Sequence, residues 1–405
     1  MKSNEIWKIY GTDYKRMTKE LLEAAGLLSC IEAKAMSKAA SGGGDPDAAA
    51  LRIGIKPNLV VPSPADFGAT THPEIVAGII EYLRERKITN VVIAEGSWVG
   101  DRTSEAYEYC GYRTLCETYG VPFIDTQKEG AHEVSCAGMN LMLTDVVDRI
   151  DFLINVPVLK GHCQTKVTCA LKNLKGLLPN REKSRFHQMG LHKPIAHLQT
   201  GIHQDFIVVD HICGDLDFEE GGSPVVRNCV MAGTDPVLLD SYACYLMQYT
   251  PDDVPYIRMA EALGVGSTDL RSAVLHLCGP SGKWIDLNPC GSSGDPERPR
   301  SRKILDVAYR IEEVDSCSAC YAALTAALCR LKEEHLLDRL DVPIGIGQGM
   351  QGRTGRLGVG RCTKDFDVSI AGCPPDSGLI YRELRKYIER SGKNEEIEDI
   401  QIPEI

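Results

Sequence analysis

Four cysteines near the C-terminus have a spacing that suits a metal centre. They follow the pattern C-x2-C-x41-C-x10-C and are Cys317, Cys320, Cys362 and Cys373. A C-x2-C pair can place two thiolates on one centre, and four thiolates suit tetrahedral zinc or an iron–sulfur cluster. The second pair lacks the C-x2-C spacing that structural zinc sites usually repeat, and it lies in glycine- and proline-rich segments whose N–H groups could donate to sulfides. We predict a [4Fe–4S] cluster, with zinc or a chance set of buried thiols as the alternatives.

A second set of polar residues follows the ends of predicted strands earlier in the chain. In open α/β sheets, ligands bind outside the carboxyl ends of the strands. Lys56, Asn58 and then His72 follow the first predicted strand, Glu95 follows the second, Lys160 and His162 follow a third, and Asp210 follows a fourth. This convergence predicts a binding site at that edge of the sheet.

The segment 165–177 is predicted to be a helix that adds positive charge to this site. Thr165, Thr168, Lys172 and Lys175 recur at spacings of three and four residues, so they would share one face. Together with Lys56 and Lys160 they would form a basic cluster able to hold a small anion, such as a carboxylate or a phosphate. His162 and His187 could add acid/base or metal-binding capacity. The alternative, that these lysines are simply solvated, stays open.

We therefore divide the candidate residues of the first domain by role. The catalytic candidates are Lys56, His72, Lys160, His162 and Lys172, and the substrate-binding candidates are Asn58, Glu95, Thr168, Asn173, Lys175 and Asp210.

Composition bounds the class of protein. The 405 residues carry a formal net charge of −11, so a general nucleic-acid binder is not expected, because neutralising phosphates requires a basic face. The charged N-terminus does not resemble a secretory signal, and apolar runs are too short for a membrane span, so we expect a cytoplasmic protein. The 16 cysteines should then be thiols or metal ligands rather than disulfides.

Short apolar runs alternate with helical periods from Leu51 onward, which predicts an α/β fold with a mostly parallel sheet flanked by helices. The predicted strands are 51–55, 90–94, 121–124, 151–156, 206–209 and 226–232, and the predicted helices are 17–40, 73–87, 104–119, 165–177, 235–248 and 254–263. The predicted organisation is an N-terminal helical segment with a glycine-rich break (1–50), an α/β domain (51–287), a linker (288–302), a small cysteine-rich α/β unit (303–390) and an acidic tail (391–405).

The same motifs resemble those of the family called domain of unknown function 362, over about residues 51–247. The resemblance rests on Lys56-Pro57-Asn58, Thr71-His72-Pro73, Lys160-x-His162, the run Ala170 to Gly176, and Ala232 to Pro236 before a helix that contains Asp240. It implies the α/β fold and an association with iron–sulfur modules, usually of the ferredoxin type, but it names no reaction. This chain lacks the compact ferredoxin run of cysteines, although its Gly-Cys-Pro-Pro segment resembles the cluster-binding loop of the hydrogenase small subunit.

Three functions are compatible with these residues. The first is an iron–sulfur redox enzyme that acts on a small anionic substrate and exchanges electrons with a partner protein. The second is a non-redox, metal-assisted isomerase or lyase with a structural cluster, which would use His72 and His162 with a second bound metal. The third is a non-enzymatic electron carrier or cluster-assembly protein. None of the three requires a nucleic-acid or membrane partner.

Overall fold

The computed structural model describes residues 2–42, 45–279, 282–290 and 303–398. The chain divides into two compact units, Met1–Arg300 and Ser301–Ile405. In the ranges described, no helix combines the length and the apolar character that crossing a membrane requires.

A nine-stranded sheet forms the centre of the first unit. The strands of this unit are β1 (Glu5–Tyr10), β2 (Ile53–Lys56), β3 (Val91–Glu95), β4 (Phe123–Asp125), β5 (Ala131–Cys136), β6 (Met139–Thr144), β7 (Phe152–Asn155), β8 (Lys160–His162), β9 (Lys166–Thr168), β10 (Phe206–Asp215), β11 (Pro224–Gly233), β12 (Val274–Cys278) and β13 (Trp284–Leu287). The sheet has the order β13-β12-β1-β11-β10-β7-β2-β3-β4, while β5 pairs with β6 and β8 pairs with β9 in separate hairpins.

The half of the sheet from β10 to β4 is parallel, so its carboxyl ends lie at one edge. Strands β2, β3 and β7 are buried along their whole length, as expected for parallel strands that are covered on both faces. Strand β10 also pairs in antiparallel fashion with β11, with an irregularity between His211 and Cys213. The predicted α/β fold with a mostly parallel sheet is confirmed.

Ten helices of the described residues cover the two faces of this sheet. They are α1 (Tyr14–Ala24), α2 (Leu27–Gly42), α3 (Pro73–Glu85), α4 (Thr103–Tyr109), α5 (Tyr112–Tyr119), α6 (Ala170–Asn173), α7 (Asn180–Met189), α8 (His192–Leu198), α9 (Pro236–Leu246) and α10 (Pro255–Ala262). Alternate residues of β10 belong to different cores: Phe206 and Val208 pack with α1 to α5, and Ile207 and Val209 pack with α6 to α10. This period of two places one apolar core on each face.

Three sequence predictions differ from the structure of this unit. Residues 166–168 form strand β9 rather than the start of a helix, because β-branched Thr165, Val167 and Thr168 favour extended backbone. The predicted helix 104–119 is broken at Gly111, whose φ of 78° ends α4. Residues 1–50 were predicted to be a separate helical segment, but Glu5–Tyr10 contributes β1 to the middle of the sheet.

The second unit has a four-stranded parallel sheet in the order β14-β15-β16-β17. Its strands are β14 (Ile311–Glu313), β15 (Ile344–Ile346), β16 (Leu357–Val359) and β17 (Val368–Ile370), and its helices are α11 (Leu305–Ala308), α12 (Ser318–Glu333) and α13 (Ser377–Glu398). Leu324, Leu328 and Leu331 of α12 form its core together with Ile380 and Leu384 of α13. The predicted linker 288–302 lies mostly outside the described residues, and the predicted tail 391–405 begins within α13.

Candidate functional site

A carboxylate lies between a lysine and a histidine in the first unit, next to the carboxyl edge of the parallel strands. Glu219, in the connection between β10 and β11, forms an ion pair through Oε1 with Nζ of Lys172 on α6. Its other oxygen, Oε2, is 3.2 Å from Nε2 of His162 at the end of β8. The side chains of Lys172 and His162 are each 2% exposed and that of Glu219 is 23% exposed. Glu219 therefore lies at the mouth of this site, in front of its two partners.

The hydrogen bonds of His162 define its tautomer. The backbone N–H groups of Gln164 and Thr165 both donate to Nδ1, over 3.1 and 3.0 Å. Because Nδ1 accepts, the proton of the neutral ring is on Nε2 and points at Glu219. Burial, with the nearby Lys172 ammonium, lowers the pKa of His162 to about 4. His162 is thus a neutral hydrogen-bond donor near pH 7.

Two further lysines contribute to the same site. Lys160 of β8 is fully buried, and its ammonium donates to the carbonyl oxygens of Ala69 and Glu219 over 2.6 and 2.8 Å. Burial lowers the pKa of Lys160 to about 8. Lys160 therefore holds the β10–β11 connection, which carries Glu219, against the loop that follows β2.

Lys175 differs from the other lysines of this region. In the part of the chain that the structure describes, its ammonium has no hydrogen-bond or ion-pair partner. Burial, followed by the neighbouring ammonium of Lys172, lowers the pKa of Lys175 to about 7. The positive charge of Lys175 also helps burial to lower the pKa of His187 to about 2. An incompletely exposed amine without a counter-charge is costly unless an anion reaches it. We call Lys160, His162, Lys172, Lys175 and Glu219 the lysine site.

Helix α6 is held in place by buried polar groups at its start. The carboxylate of Asp240 on α9 accepts hydrogen bonds from the backbone N–H groups of Ala170 and Leu171, over 2.7 and 3.3 Å. These groups belong to the first turn of α6 and have no acceptor within the helix. Burial raises the pKa of Asp240 to about 7. Because α6 is a single turn, this cap positions Lys172.

A chain of side-chain amides connects α6 to the sheet. Asn58 donates to Asn173 over 2.9 Å, Asn173 donates to Asn155 over 2.7 Å, and Asn155 donates to Gln204 over 2.7 Å. Each amide both donates and accepts, so all of these buried groups are satisfied. Asn58 and Asn173, predicted to bind substrate, are thereby engaged in holding the backbone of the site. Thr168, another predicted binder, accepts a hydrogen bond from Lys172 over 3.0 Å.

Lys56 and Glu95 form a separate ion pair at the ends of β2 and β3. Their side chains are 0% and 4% exposed, and Lys56 also donates to the carbonyl of Pro57. A Cβ on Gly176 would lie 2.5 Å from the carboxylate of Glu95 and 2.6 Å from Nζ of Lys56, so only glycine fits against this pair. The structure therefore places these two predicted site residues in a buried structural contact rather than in the lysine site.

His72 and Asp210 form a third buried contact. Asp210 Oδ2 lies 2.8 Å from both the backbone nitrogen and the Nδ1 atom of His72. Burial lowers the pKa of His72, but the Asp210 carboxylate outweighs it and raises this pKa to about 11. The histidine is thus held as an imidazolium at the start of α3, where it joins that helix to β10.

The second unit brings the four predicted cysteine ligands to one edge of its sheet. Cys317 follows β14 and caps α12, Cys320 lies in the first turn of α12, Cys362 follows β16, and Cys373 follows β17. All neighbouring strands are parallel, so these carboxyl ends lie side by side. Burial and then the neighbouring Cys317, Cys373 and Cys362 raise the pKa of the Cys320 thiol to about 12.

Backbone contacts and glutamine side chains shape this edge, which we call the cysteine edge. Gly360 N donates to Ile370 O over 2.8 Å and Arg361 N donates to Gly372 O over 2.9 Å, which joins the two loops that carry Cys362 and Cys373. The side-chain amides of Gln348 and Gln351 lie 3.6 Å from the sulfurs of Cys317 and Cys362. Among the described residues, no group of three or more His, Cys, Asp or Glu side chains is arranged to hold a single metal ion.

Comparison with known proteins agrees with part of the sequence interpretation. Residues 53–245 match the family described as Domain of unknown function (DUF362). This confirms the resemblance inferred over about residues 51–247, and it does not extend to the cysteine edge.

Two individual proteins are also similar to this chain. A thylakoid-associated protein of Synechocystis sp. is 25% identical over 229 residues, which cover 54% of this chain and 69% of that protein. The solved structure of the lactate racemase apoprotein from Thermoanaerobacterium thermosaccharolyticum aligns with a TM-score of 0.37 and 13% identity. That alignment covers 59% of this chain and 56% of the racemase, which is less than two thirds of its length.

Sequence reasoning missed three residues that shape the lysine site. Glu219 follows a strand more than twice as long as predicted, so no strand-end argument reached it. Asn155 lies inside a predicted strand, where a single polar residue in an apolar run was an available signal. Asp240 was noticed only as part of the family resemblance, and its role depends on the contact between α9 and α6.

Proposed function

We propose that this chain is a cytoplasmic iron–sulfur protein, with a [4Fe–4S] cluster at the cysteine edge and a site for a small anionic substrate at the lysine site. The cluster would exchange single electrons with the substrate or with a partner protein. The observation that carries the proposal is that Cys317, Cys320, Cys362 and Cys373 all follow carboxyl ends of one parallel sheet or begin the helix after it.

The surroundings of the four sulfurs fit an anionic cluster. Cys317 is the N-cap of α12, a helix of 16 residues, so the positive end of the helix dipole lies at the sulfurs. The amides of Gln348 and Gln351 are close enough to make weak N–H···S contacts, and such contacts tune the potential of iron–sulfur clusters. The loops that carry Cys362 and Cys373 are joined through their backbones, which would fix the distance between these two ligands.

The lysine site supports the substrate part of the proposal. No carboxylate of the described residues pairs directly with the amines of Lys160 and Lys175, so positive charge is in local excess when these amines are protonated, although the protein as a whole is acidic. Such a local excess attracts a small anion. Lys172 and the Nε2–H group of His162 provide donors at fixed positions, which would orient that anion for reaction.

The cluster is tested by anaerobic purification followed by iron and acid-labile sulfide analysis and EPR before and after reduction with dithionite. We expect about four irons and about four sulfides per chain and a signal that appears on reduction. Cys362→Ser should lose the visible chromophore. Cys329→Ser is the matched control, because Cys329 lies on the same α12 but its sulfur is 3.6 Å from Lys303 O. Stoichiometric zinc without sulfide, or a full chromophore in Cys362→Ser, would overturn the assignment.

The anion site is tested with Lys175→Met, since this lysine has no described partner to leave behind in the folded chain. Malonate and inorganic phosphate serve as probes in calorimetric titrations. We expect Lys175→Met to weaken binding of at least one probe by about tenfold. Lys128→Met is the control, because Lys128 is 73% exposed and lies after β4. Equal affinities in all three proteins would contradict the proposed site.

A further inference from the structure

Glu219 has the geometry of a bound ligand rather than of an ordinary surface carboxylate. Its two oxygens contact different donors, the ammonium of Lys172 and Nε2 of His162. Both donors are almost fully buried, whereas Glu219 itself is partly exposed at the mouth of the site. A molecule from solution would therefore have to replace this carboxylate before it could reach either donor.

The backbone around Glu219 is fixed, so the replacement would involve its side chain alone. Lys160 donates to the Glu219 carbonyl over 2.8 Å. The carboxylate of Asp215 accepts from the backbone N–H groups of Asp217, Phe218 and Ser223, over 2.8 to 3.0 Å, which closes the base of the same loop. A Cβ on Gly221 would lie 2.4 Å from the carbonyl of Phe67, so this glycine lets the loop pack closely on its neighbour. The loop thus presents the Glu219 side chain from a rigid base.

The two donors select the shape and the charge of their partner. Lys172 supplies a positive charge, and His162 supplies a neutral N–H group whose direction is set by the two backbone donors on its Nδ1 atom. One donor for each of two oxygens is the pattern that a planar carboxylate satisfies. A second anionic group of the same molecule could reach Lys175, whose ammonium has no partner in the described residues.

We propose that the substrate of the lysine site carries a carboxylate, and that this carboxylate displaces that of Glu219 from between Lys172 and His162. This inference rests on the anion site proposed above and adds its chemical class. Glu219 neutralises the Lys172 ammonium when the site is empty and competes with the carboxylate of an entering ligand. Its pKa reflects this position: burial acts to raise it, but Lys172 and His162 together hold it well below the usual value for a glutamate.

The test compares Glu219→Gln with the unmodified full-length chain, using malonate and inorganic phosphate as probes in calorimetric titrations. If the Glu219 carboxylate lies between Lys172 and His162 at least nine-tenths of the time, removing its charge should tighten malonate binding by about tenfold or more. Phosphate should gain clearly less. Glu220→Gln is the control for loss of charge alone, because Glu220 is the exposed neighbour on the same loop, and it should change both affinities clearly less than Glu219→Gln changes that of malonate.

The outcomes separate this inference from the proposed function. Unchanged or weaker malonate binding in Glu219→Gln, with Lys175→Met still weakening it, would overturn the inference and leave the anion site standing. An equal gain for phosphate would overturn the assignment of a carboxylate. A loss of binding in Lys175→Met together with a gain in Glu219→Gln would support both. Iron and sulfide content, measured on the same preparations, reports independently on the cluster.

Discussion

The buried pair of Lys56 and Glu95 gives a sharp test of which predicted site residues are structural. Removing one partner of a buried ion pair leaves an uncompensated charge and costs about 3–5 kcal/mol, whereas replacing both partners by neutral groups of similar shape is close to neutral. Lys56→Met and Glu95→Gln preserve most of the volume of each side chain. We therefore expect each single variant to lose about 3 kcal/mol of unfolding free energy and the double variant to lose about 1 kcal/mol.

These values imply a coupling energy of about 5 kcal/mol between the two sites, which is large against a total stability of about 5–15 kcal/mol. Urea unfolding followed by tryptophan fluorescence measures it without interference from the second unit. The three tryptophans, Trp7, Trp98 and Trp284, all lie in Met1–Arg300. The fluorescence transition therefore reports the unit that contains the pair.

The pH dependence of the Lys56→Met variant provides a second measurement on the same pair. Burial raises the pKa of Glu95 above 4.5, and in this variant the opposing effect of Lys56 is gone. The folded state then favours the protonated carboxyl, so the loss of stability should shrink as the pH falls toward 4.5 and grow as it rises. If Lys56→Met instead changes stability by less than about 1 kcal/mol and abolishes ligand binding, Lys56 is a functional lysine, as the sequence suggested, and the structural interpretation is wrong.

Three further predictions concern the lysine site and the cap of α6. Two-bond ¹⁵N–¹H correlation spectra at pH 7 should show Nδ1 of His162 unprotonated, and a protonated Nδ1 would contradict the assigned tautomer. Folding lowers the pKa of His162 from 6.5 to about 4, chiefly through burial. The neutral ring therefore favours the folded state above pH 6.5, and this contribution should be lost as the pH falls toward 4. Urea unfolding at several pH values measures the loss, which should be absent in His162→Gln. Asp240→Ala leaves two buried N–H groups of α6 without an acceptor and should cost about 2–4 kcal/mol by tryptophan-monitored unfolding. Asp240→Asn keeps one acceptor and should cost less, and equal losses in the two variants would show that the cap is unimportant.

The parts of the fold that depend on local sequence were predictable. Buried runs of Val, Ile and Leu located β2, β3 and β7 within two residues, because parallel strands covered on both faces are apolar throughout. Strand β1 was missed although four of the six residues of Glu5–Tyr10 are β-branched or aromatic, which is the available signal for a strand. The start of the helix predicted over 165–177 was wrong, because the prediction ignored the preference of Thr165 to Thr168 for extended backbone, whereas residues 170–177 are helical.

The candidate sites divide in the same physical way. The cysteine edge could be nominated from sequence, because ligand type and spacing are local properties. The lysine site could be predicted only in part. Lys172 does contact Thr168, as predicted, but Thr168 lies in a hairpin strand and Lys172 in a one-turn helix, so the two do not share one helical face. Glu219 approaches Lys172 because the long β10 and β11 strands return the chain to this point, and such long-range pairing leaves no trace in a single sequence.

The partners of the buried lysines separate structural from functional positions better than their sequence motifs do. Lys56 is matched by a carboxylate, and Lys160 by carbonyl oxygens that attach one loop to another, so the fold alone explains why each is buried. Lys172 is matched by Glu219, which is itself partly exposed. Lys175 is partly buried and has no partner in the described residues, and stability alone gives no reason to bury an amine that nothing pairs with. We therefore expect the ligand to bind at Lys172 and Lys175. An anion bound there would supply the counter-charge that Lys175 lacks in the empty site.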